Sequence, residues 1–488
     1  MKATVASEIT LYPPIQPALD DAVKAALTID NPEHVQATKQ GRWTGEIERK
    51  IRGWRHGGGN SLVLPRGFGK QLRQLCANHS ARLEVDWSGL ADGEPLQTTM
   101  QLPLRPYQVE AIEAARQGRQ GLLVMPCGGG KTVAAIGAIQ RFGCSALVLV
   151  DTKDLQAQWR AAVRKFLDMD VGEIGDGKET IEPITVATVQ TLRRWDHESL
   201  DALGRRFGLA VLDEAHVVPA QSVAWVFGSL PCRYRLGLTA TPWRDDGLTP
   251  LIEWHCGPTL HEVDRAYLYE HGYLAEVEVR KVATGWTWQT WEDHETKMTA
   301  AKKAAKDRGV KPDQDREVKR LQRTRNKLFG AMVKAMVADE PRNAQILQDS
   351  QALLAEGRQV VLFSSSVDHC RDLSARLAAM GHRCEALVGP VKGKAREAML
   401  DGFRDGTVRM LCATIQLAAK GLDLPNLNAI QMTTGGRAKT RMVQMIGRGA
   451  RPCEGLQPVL LDYVDEPGIL KGQFYARARA YREAMGQR

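Results

Sequence analysis

Short, predominantly apolar runs recur down this chain, separated by longer stretches of helical or turn-rich character. Between Leu122 and Ile252 they read LLVM, SALVLV, ITVAT, LAVLDEAH and YRLGLTAT. Apolar runs without alternation mark strands covered on both faces, as in a parallel sheet with helices above and below. From about Pro341 the rhythm returns in QVVLFSSS, CEALVG, VRMLCAT, AIQMTT and PVLLDYV. The pattern predicts an α/β fold of two tandem, doubly wound parallel-sheet domains.

A chain of 488 residues must divide in any case, because single cores stop growing at roughly 250–300 residues. The expected boundaries are an N-terminal accessory domain over 1–98, a first α/β domain over 99–284, a helical basic insertion over 285–340 and a second α/β domain over 341–488. In the insertion Val318, Leu321, Leu328, Met332, Val333, Met336 and Val337 recur at steps of three and four, while Lys319, Arg320, Arg323 and Lys327 fall elsewhere on the same helix. That basic flank either tracks a phosphate backbone or is a solvated face. The N-terminal stretch GRWTGEIERKIRGWRHGGGNSLVLPRGFGK is basic and broken by glycine, and suits nucleic-acid or partner binding.

Composition narrows the class. With 43% hydrophobic and 25% charged residues, the chain is globular rather than disordered, collagenous or a disulfide scaffold. Lys plus Arg number 66 against 57 for Asp plus Glu, a net charge of +9. Nucleic acid is therefore the first partner to test, the bland alternative being solubility. The nine cysteines include no C-x-x-C pair, which indicates neither a disulfide framework nor a zinc ribbon and favours ordinary packing for His255, Cys256 and His261. The N-terminus lacks a signal-type apolar core, and no apolar stretch is long enough to span a bilayer. A cytoplasmic protein without membrane association is the expectation.

Two motifs carry chemistry. MPCGGGKT, residues 125–132, follows the first strand. A strand ending in a glycine-rich loop that opens a helix leaves backbone N–H groups of Cys127, Gly128, Gly129 and Gly130 free to hold phosphate oxygens. Lys131 would reach the β- and γ-phosphates and the Thr132 hydroxyl would hold Mg²⁺. Met125 stands where the strict pattern has glycine, so a tight turn is the competing reading. LAVLDEAH then brings Asp213 and Glu214 to the carboxyl end of a buried strand, where open α/β sheets bind ligands. Asp213 is the candidate to bind Mg²⁺ through its water shell, and Glu214 to orient and deprotonate the attacking water.

With these motifs in order the sequence resembles the superfamily 2 helicases and translocases, in the DEAH-spelled branch near XPB, RadD, phage UvsW-like proteins and type III restriction motors. The resemblance covers roughly residues 100–465 and implies two RecA-like domains that use ATP and Mg²⁺. In LRPYQ it implies that Gln108 reads adenine with Arg105 nearby; in MPCGGGKT the leading glycine is commonly replaced. VDTKDLQAQW and ITVATVQTL imply nucleic-acid contacts from Thr152, Lys153, Thr188 and Gln190. GLTATPWRDDG carries Thr239, Ala240 and Thr241, which in the family link hydrolysis to movement. ATIQLAAKGLDLP matches through Thr414 on nucleic acid and Gly421 and Asp423 at the nucleotide. QMIGRGARP matches through Gln444, Gly447, Arg448 and Arg451, the arginines being fingers that stabilise the γ-phosphate charge by about 10³–10⁵ in rate.

The function so implied is an ATP-driven nucleic-acid helicase or translocase, DNA being favoured over RNA. An ATPase motor subunit of a larger defence, restriction or recombination assembly, docked through residues 1–98, is the alternative. A non-catalytic clamp fits less well with Lys131, Asp213, Glu214 and Arg451 all present. Trp286, Trp288 and Trp291 in GWTWQTW offer either a stacking surface for bases or, as tryptophans more often do, internal packing.

Overall fold

The computed structural model describes the chain apart from residues 40–42, 245, 390, 392, 416–423, 425, 435–455 and 486–488, and the side chains of 39, 326, 483 and 484. It divides into two compact units, Met1–Asp264 and Arg265–Arg488.

Two sheets make up most of the first unit. The N-terminal one uses β1 (Lys2–Val5), β2 (Glu8–Tyr12), β5 (Arg55–His56), β6 (Leu62–Pro65) and β7 (Glu84–Asp86) in the order β5-β6-β2-β1-β7. A separate hairpin pairs β3 (Thr28–Asp30) with β4 (Lys50–Arg52). The larger sheet comprises β8 (Gln120–Val124), β9 (Ala146–Val150), β10 (Gly172–Gly175), β11 (Lys178–Thr180), β12 (Ile184–Thr188), β13 (Leu209–Leu212), β14 (Tyr234–Thr239) and β15 (Thr259–Glu262). Their order is β11-β10-β12-β9-β13-β14-β8-β15. All neighbours are parallel except the β10–β11 pair.

The apolar runs of this sheet are buried on both faces, as their lack of alternation predicts. Along β9, Ala146, Val148 and Val150 enter one core while Leu147 and Leu149 enter the other; β13 divides its residues the same way. The connecting helices carry their own start signals. Pro106 opens Pro106–Gly118, and the Thr152 hydroxyl oxygen accepts from Leu155 N at 3.2 Å to cap Lys153–Leu167.

The second unit repeats the plan with β16 (Glu278–Ala283), β17 (Val360–Ser364), β18 (Cys384–Leu387), β19 (Met410–Thr414), β20 (Ala429–Met432) and β21 (Val459–Val464). The order β16-β21-β20-β17-β19-β18 is parallel throughout. Val361 and Phe363 face one core and Val360 and Leu362 the other.

Two expected boundaries fall elsewhere. The first α/β domain was expected to run to 284, yet β16 pairs with β21 along its whole length, so residues 265–284 lie in the second unit. Nothing local to β16 specifies a partner some 180 residues downstream. Residues 1–98 have their own sheet but are not a free-standing body. Trp254, from the helix Thr249–Cys256, joins their core. The buried guanidinium of Arg66 donates to Cys232 O at 2.5 Å and also to Arg233 O, and Arg235 Nη2 donates to Ser7 O at 3.0 Å. A side chain at Gly67 would place Cβ 2.3 Å from Glu253 O, so the two backbones meet there.

The insertion is helical as expected, with Gln289–Asp307 and Arg316–Val337 packed on each other. Trp286 and Trp291 are buried in a core with Met332, Met336 and Leu470, which favours packing over base stacking. No helix among the described residues is long and apolar enough to cross a membrane.

Candidate nucleotide-hydrolysis site

Parallel strands place all their carboxyl ends on one edge of the first unit's large sheet, and the candidate residues gather there. After β8 the chain turns through Pro126–Gly130, with Gly129 N donating to Pro126 O at 2.9 Å. Gly128 and Gly130 have φ of 83° and 78°, in the left-handed region that glycine enters without strain. Gly130 caps the helix Lys131–Phe142, whose first N–H groups have no acceptor within the helix. A Cβ on Gly130 would lie 2.5 Å from Gln108 Nε2. Such a cradle, lined by backbone rather than side chains, fits a polyphosphate.

Lys131 begins that helix. Its Nζ lies 3.2 Å from Glu214 Oε1, both side chains being only partly exposed. Burial alone would lower the ammonium's pKa, but Glu214 first, with Cys127 and Asp213, holds it above its ordinary value. Glu214 has the complementary balance. Burial, the largest single influence, pushes its carboxyl up, but the combined pulls of Lys131 and His216 outweigh it and bring it well below the usual range.

Asp213 is buried and opposite in sign. Burial, then repulsion from Glu214, raise its carboxyl above the usual value, against the opposing pull of Lys131 and two hydrogen bonds. Those bonds come from Trp159 Nε1 to Oδ2 at 2.8 Å and from Glu214 N to Oδ1 at 2.9 Å. The backbone reverses at Glu214, whose φ of 52° is uncommon outside glycine. Strain of about 1–3 kcal/mol at such a residue is a recurring mark of functional sites. Two adjacent carboxylates are thus set apart, one ionised beside a lysine, the other held by an indole.

One strand stands between the two motifs. β14 pairs with β8 on one side and β13 on the other, so the TAT segment leaves the sheet between the strands that deliver Lys131 and Asp213. Met125 N donates to Thr239 O at 2.9 Å, and Thr239 Oγ1 both accepts from Thr241 N at 3.1 Å and donates to Thr241 O at 2.9 Å. Further on, Arg244 Nη1 donates to His216 O at 2.7 Å. His216 Nδ1 is itself 3.3 Å from Glu214 Oε2. A path of contacts therefore runs from the carboxylates to the loop after β14.

Gln108 is buried against the phosphate loop, its Oε1 accepting from Arg105 N at 2.9 Å. Tyr107 OH donates to Gly129 O at 2.9 Å, and Arg105 Nη1 reaches the same hydroxyl at 3.1 Å. Thr132 is the second residue of the helix. The other candidates are more scattered. Thr152 caps a helix, Lys153 pairs with Asp176, and Thr188 Oγ1 meets Thr191 Oγ1 at 2.8 Å. Gln190 is exposed. Thr414 ends β19 and is buried. Gly421, Asp423, Gln444, Gly447, Arg448 and Arg451 lie outside the described residues. Trp159 is the participant that the motif reading passed over; it stands inside VDTKDLQAQW, but its contact with Asp213 spans 54 positions.

Residues 101–244 match the family described as type III restriction enzyme, res subunit, and residues 344–453 match the helicase conserved C-terminal domain. Among curated proteins, the chain is 28% identical over 353 residues to the DNA 3'-5' translocase XPB2 of Sulfurisphaera tokodaii, covering 71% of this chain and 78% of that one. It is 28% identical over 384 residues to the DNA 3'-5' helicase XPB of Kineococcus radiotolerans, covering 75% and 61%. To the protein of that name from Mycobacterium tuberculosis it is 27% identical over 378 residues, covering 75% and 62%. The alignments thus span under two thirds of the last two relatives.

Proposed function

We propose, for a chain that belongs to the superfamily 2 helicases and translocases of the XPB and type III restriction group, that it couples ATP hydrolysis to movement along DNA. The observation that carries this reading is the Lys131–Glu214 pair at 3.2 Å, with Asp213 beside it on the carboxyl edge of the sheet. A lysine and a catalytic-type carboxylate meeting at the mouth of a glycine cradle is what phosphoryl transfer to water needs.

In this reading the N–H groups of Gly128, Gly130, Lys131 and Thr132 would hold the β- and γ-phosphates, Gly129 N–H being turned to Pro126 O, while Thr132 and Asp213 would hold Mg²⁺. The bound ion would neutralise phosphate charge and orient the oxygens. Glu214 takes the proton of the attacking water. While paired with Lys131, Glu214 is a weak base. When the ammonium turns to phosphate, that pull is relieved and the basicity of Glu214 rises, so the base is armed only with fuel in place. Gln108 and Tyr107, packed on Gly130 and Gly129, tie nucleotide recognition to the shape of the cradle. The chain of contacts through His216 and Arg244 offers a route from hydrolysis to the loop after β14. The QMIGRGARP motif supports Arg448 and Arg451 as arginine fingers.

The test is ATP turnover by the purified chain with and without single-stranded DNA, duplex DNA and RNA at fixed salt. DNA is expected to stimulate. Lys131→Ala loses ATP binding; Glu214→Gln and Arg448→Ala keep binding and lose most of the stimulated rate. Undiminished turnover in Glu214→Gln sinks the assignment.

A further inference from the structure

We propose that the first unit carries a second nucleic-acid site, a cleft that takes one unpaired strand, with Trp87 stacking a base and Lys70, Arg73 and Arg119 holding its phosphates. The cleft has a volume of about 720 Å³ and lies between the N-terminal sheet and the start of β8. One wall carries Lys70, Arg73 and Trp87; the other carries Arg119 and Gln120, which lead into that strand. It therefore opens at the amino edge of the large sheet, whereas Lys131 stands at the carboxyl edge, about 16 Å away along five residues of strand.

Charge and an exposed ring give it its chemistry. No Asp or Glu lines it. Two of its five cations are already committed, Arg66 to backbone carbonyls and Arg233 to Asp92. Among the described residues Lys70, Arg73 and Arg119 have no carboxylate partner and are exposed. Trp87 is 42% exposed, with the Arg73 guanidinium 5.5 Å from its ring centroid. An indole bordered by an arginine is a stacking platform for a base whose phosphates need cations. On the opposite wall the amide nitrogen of Gln120 is buried without a hydrogen-bond partner among the described residues.

The volume is that of a small-molecule pocket, roughly 300–1,000 Å³, which admits a nucleotide or two and excludes a duplex. The proposal rests on the motor reading only in taking nucleic acid to be the substrate. It adds where an unpaired segment is held while the sheet's other edge hydrolyses ATP.

The experiment titrates the full chain with fluorescent oligo-dT, without nucleotide, at several salt concentrations, and compares Trp87→Ala, Trp87→Phe and the triple variant Lys70→Glu, Arg73→Glu, Arg119→Glu. Trp87→Ala is expected to weaken binding about tenfold, the worth of one stacked base, and Trp87→Phe to restore most of it. The triple variant should flatten the dependence of log affinity on log salt by about 2. ATPase without nucleic acid should be unchanged in all three. Wild-type affinity and salt slope in both Trp87→Ala and the triple variant overturn the proposal, as does equal competition by a polyglutamate peptide, which would mark a general anion surface. If the wild-type chain binds oligo-dT in a Trp87-dependent way yet no nucleic acid stimulates its ATPase, the motor reading falls and the cleft stands.

Discussion

Trp159 Nε1 donates a 2.8 Å hydrogen bond to Asp213 Oδ2, in the interior of the first unit. The indole comes from the helix that follows β9, and Asp213 from the end of β13, its immediate neighbour in the sheet. The bond offsets part of what burial and Glu214 do to this carboxylate, and it fixes the orientation of the carboxyl group.

Removing that donor should show in the metal requirement. A hydrogen bond to a charged group contributes about 1.5–3 kcal/mol, so Trp159→Phe is expected to raise the Mg²⁺ concentration for half-maximal ATPase about tenfold. With its donor gone, Asp213 moves further above the usual carboxyl range, so the acid limb of the pH–rate profile should shift to higher pH. Steady-state ATPase measured against Mg²⁺ and pH checks both. An unchanged Mg²⁺ optimum removes Asp213 from metal binding.

The cradle is sensitive at Gly130. With φ at 78° and an added Cβ only 2.5 Å from Gln108 Nε2, Gly130→Ala meets two obstacles. The left-handed backbone alone costs about 1–2 kcal/mol for an alanine. ATP affinity, read by titration with a fluorescent analogue, should fall about tenfold or more. Measured from a Gln108→Ala background, whose own affinity is the baseline, Gly130→Ala meets no clash and keeps the backbone term, so its effect should be smaller without vanishing. Its disappearance there would place the whole effect in the glutamine contact.

A third expectation concerns acid stability of the second unit. His369 is buried, its ring nitrogens 3.0 Å from Ser364 Oγ and Asn343 Oδ1. Burial first, then the nearby guanidinium charges of Arg342 and Arg376, bring its pKa down to about 4. The folded form therefore keeps a neutral ring while the unfolded chain takes up a proton near pH 6.5. The stabilisation is present above 6.5 and is lost as pH falls toward 4, to a total of about 3 kcal/mol at most. The thermal midpoint should decline over that window, and His369→Gln should flatten the decline. An equally steep fall in the variant would assign it to other groups.

The candidate nucleotide site was legible because its parts are local. Strand, glycine loop and lysine are contiguous in MPCGGGKT, and a buried strand delivers Asp213 and Glu214 directly. The buried runs that form both large sheets were legible for the same reason, since a strand covered on two faces announces itself without its partners. What no local pattern encodes is which strands become neighbours.

That choice was made in three dimensions. Placing β14 between β8 and β13 puts the TAT segment among the catalytic candidates; pairing β16 with β21 moves residues 265–284 out of the first unit. Arg66 and Arg235 fasten the N-terminal sheet to carbonyls that no sequence pattern would select, and the cleft beside Trp87 exists only because of that docking. Backbone propensity and apolar periodicity act over a few residues, so the chain by itself determines elements and contiguous motifs. Contacts between distant segments depend on which packed arrangement buries the most apolar surface while satisfying every polar group, and only the folded structure decides that.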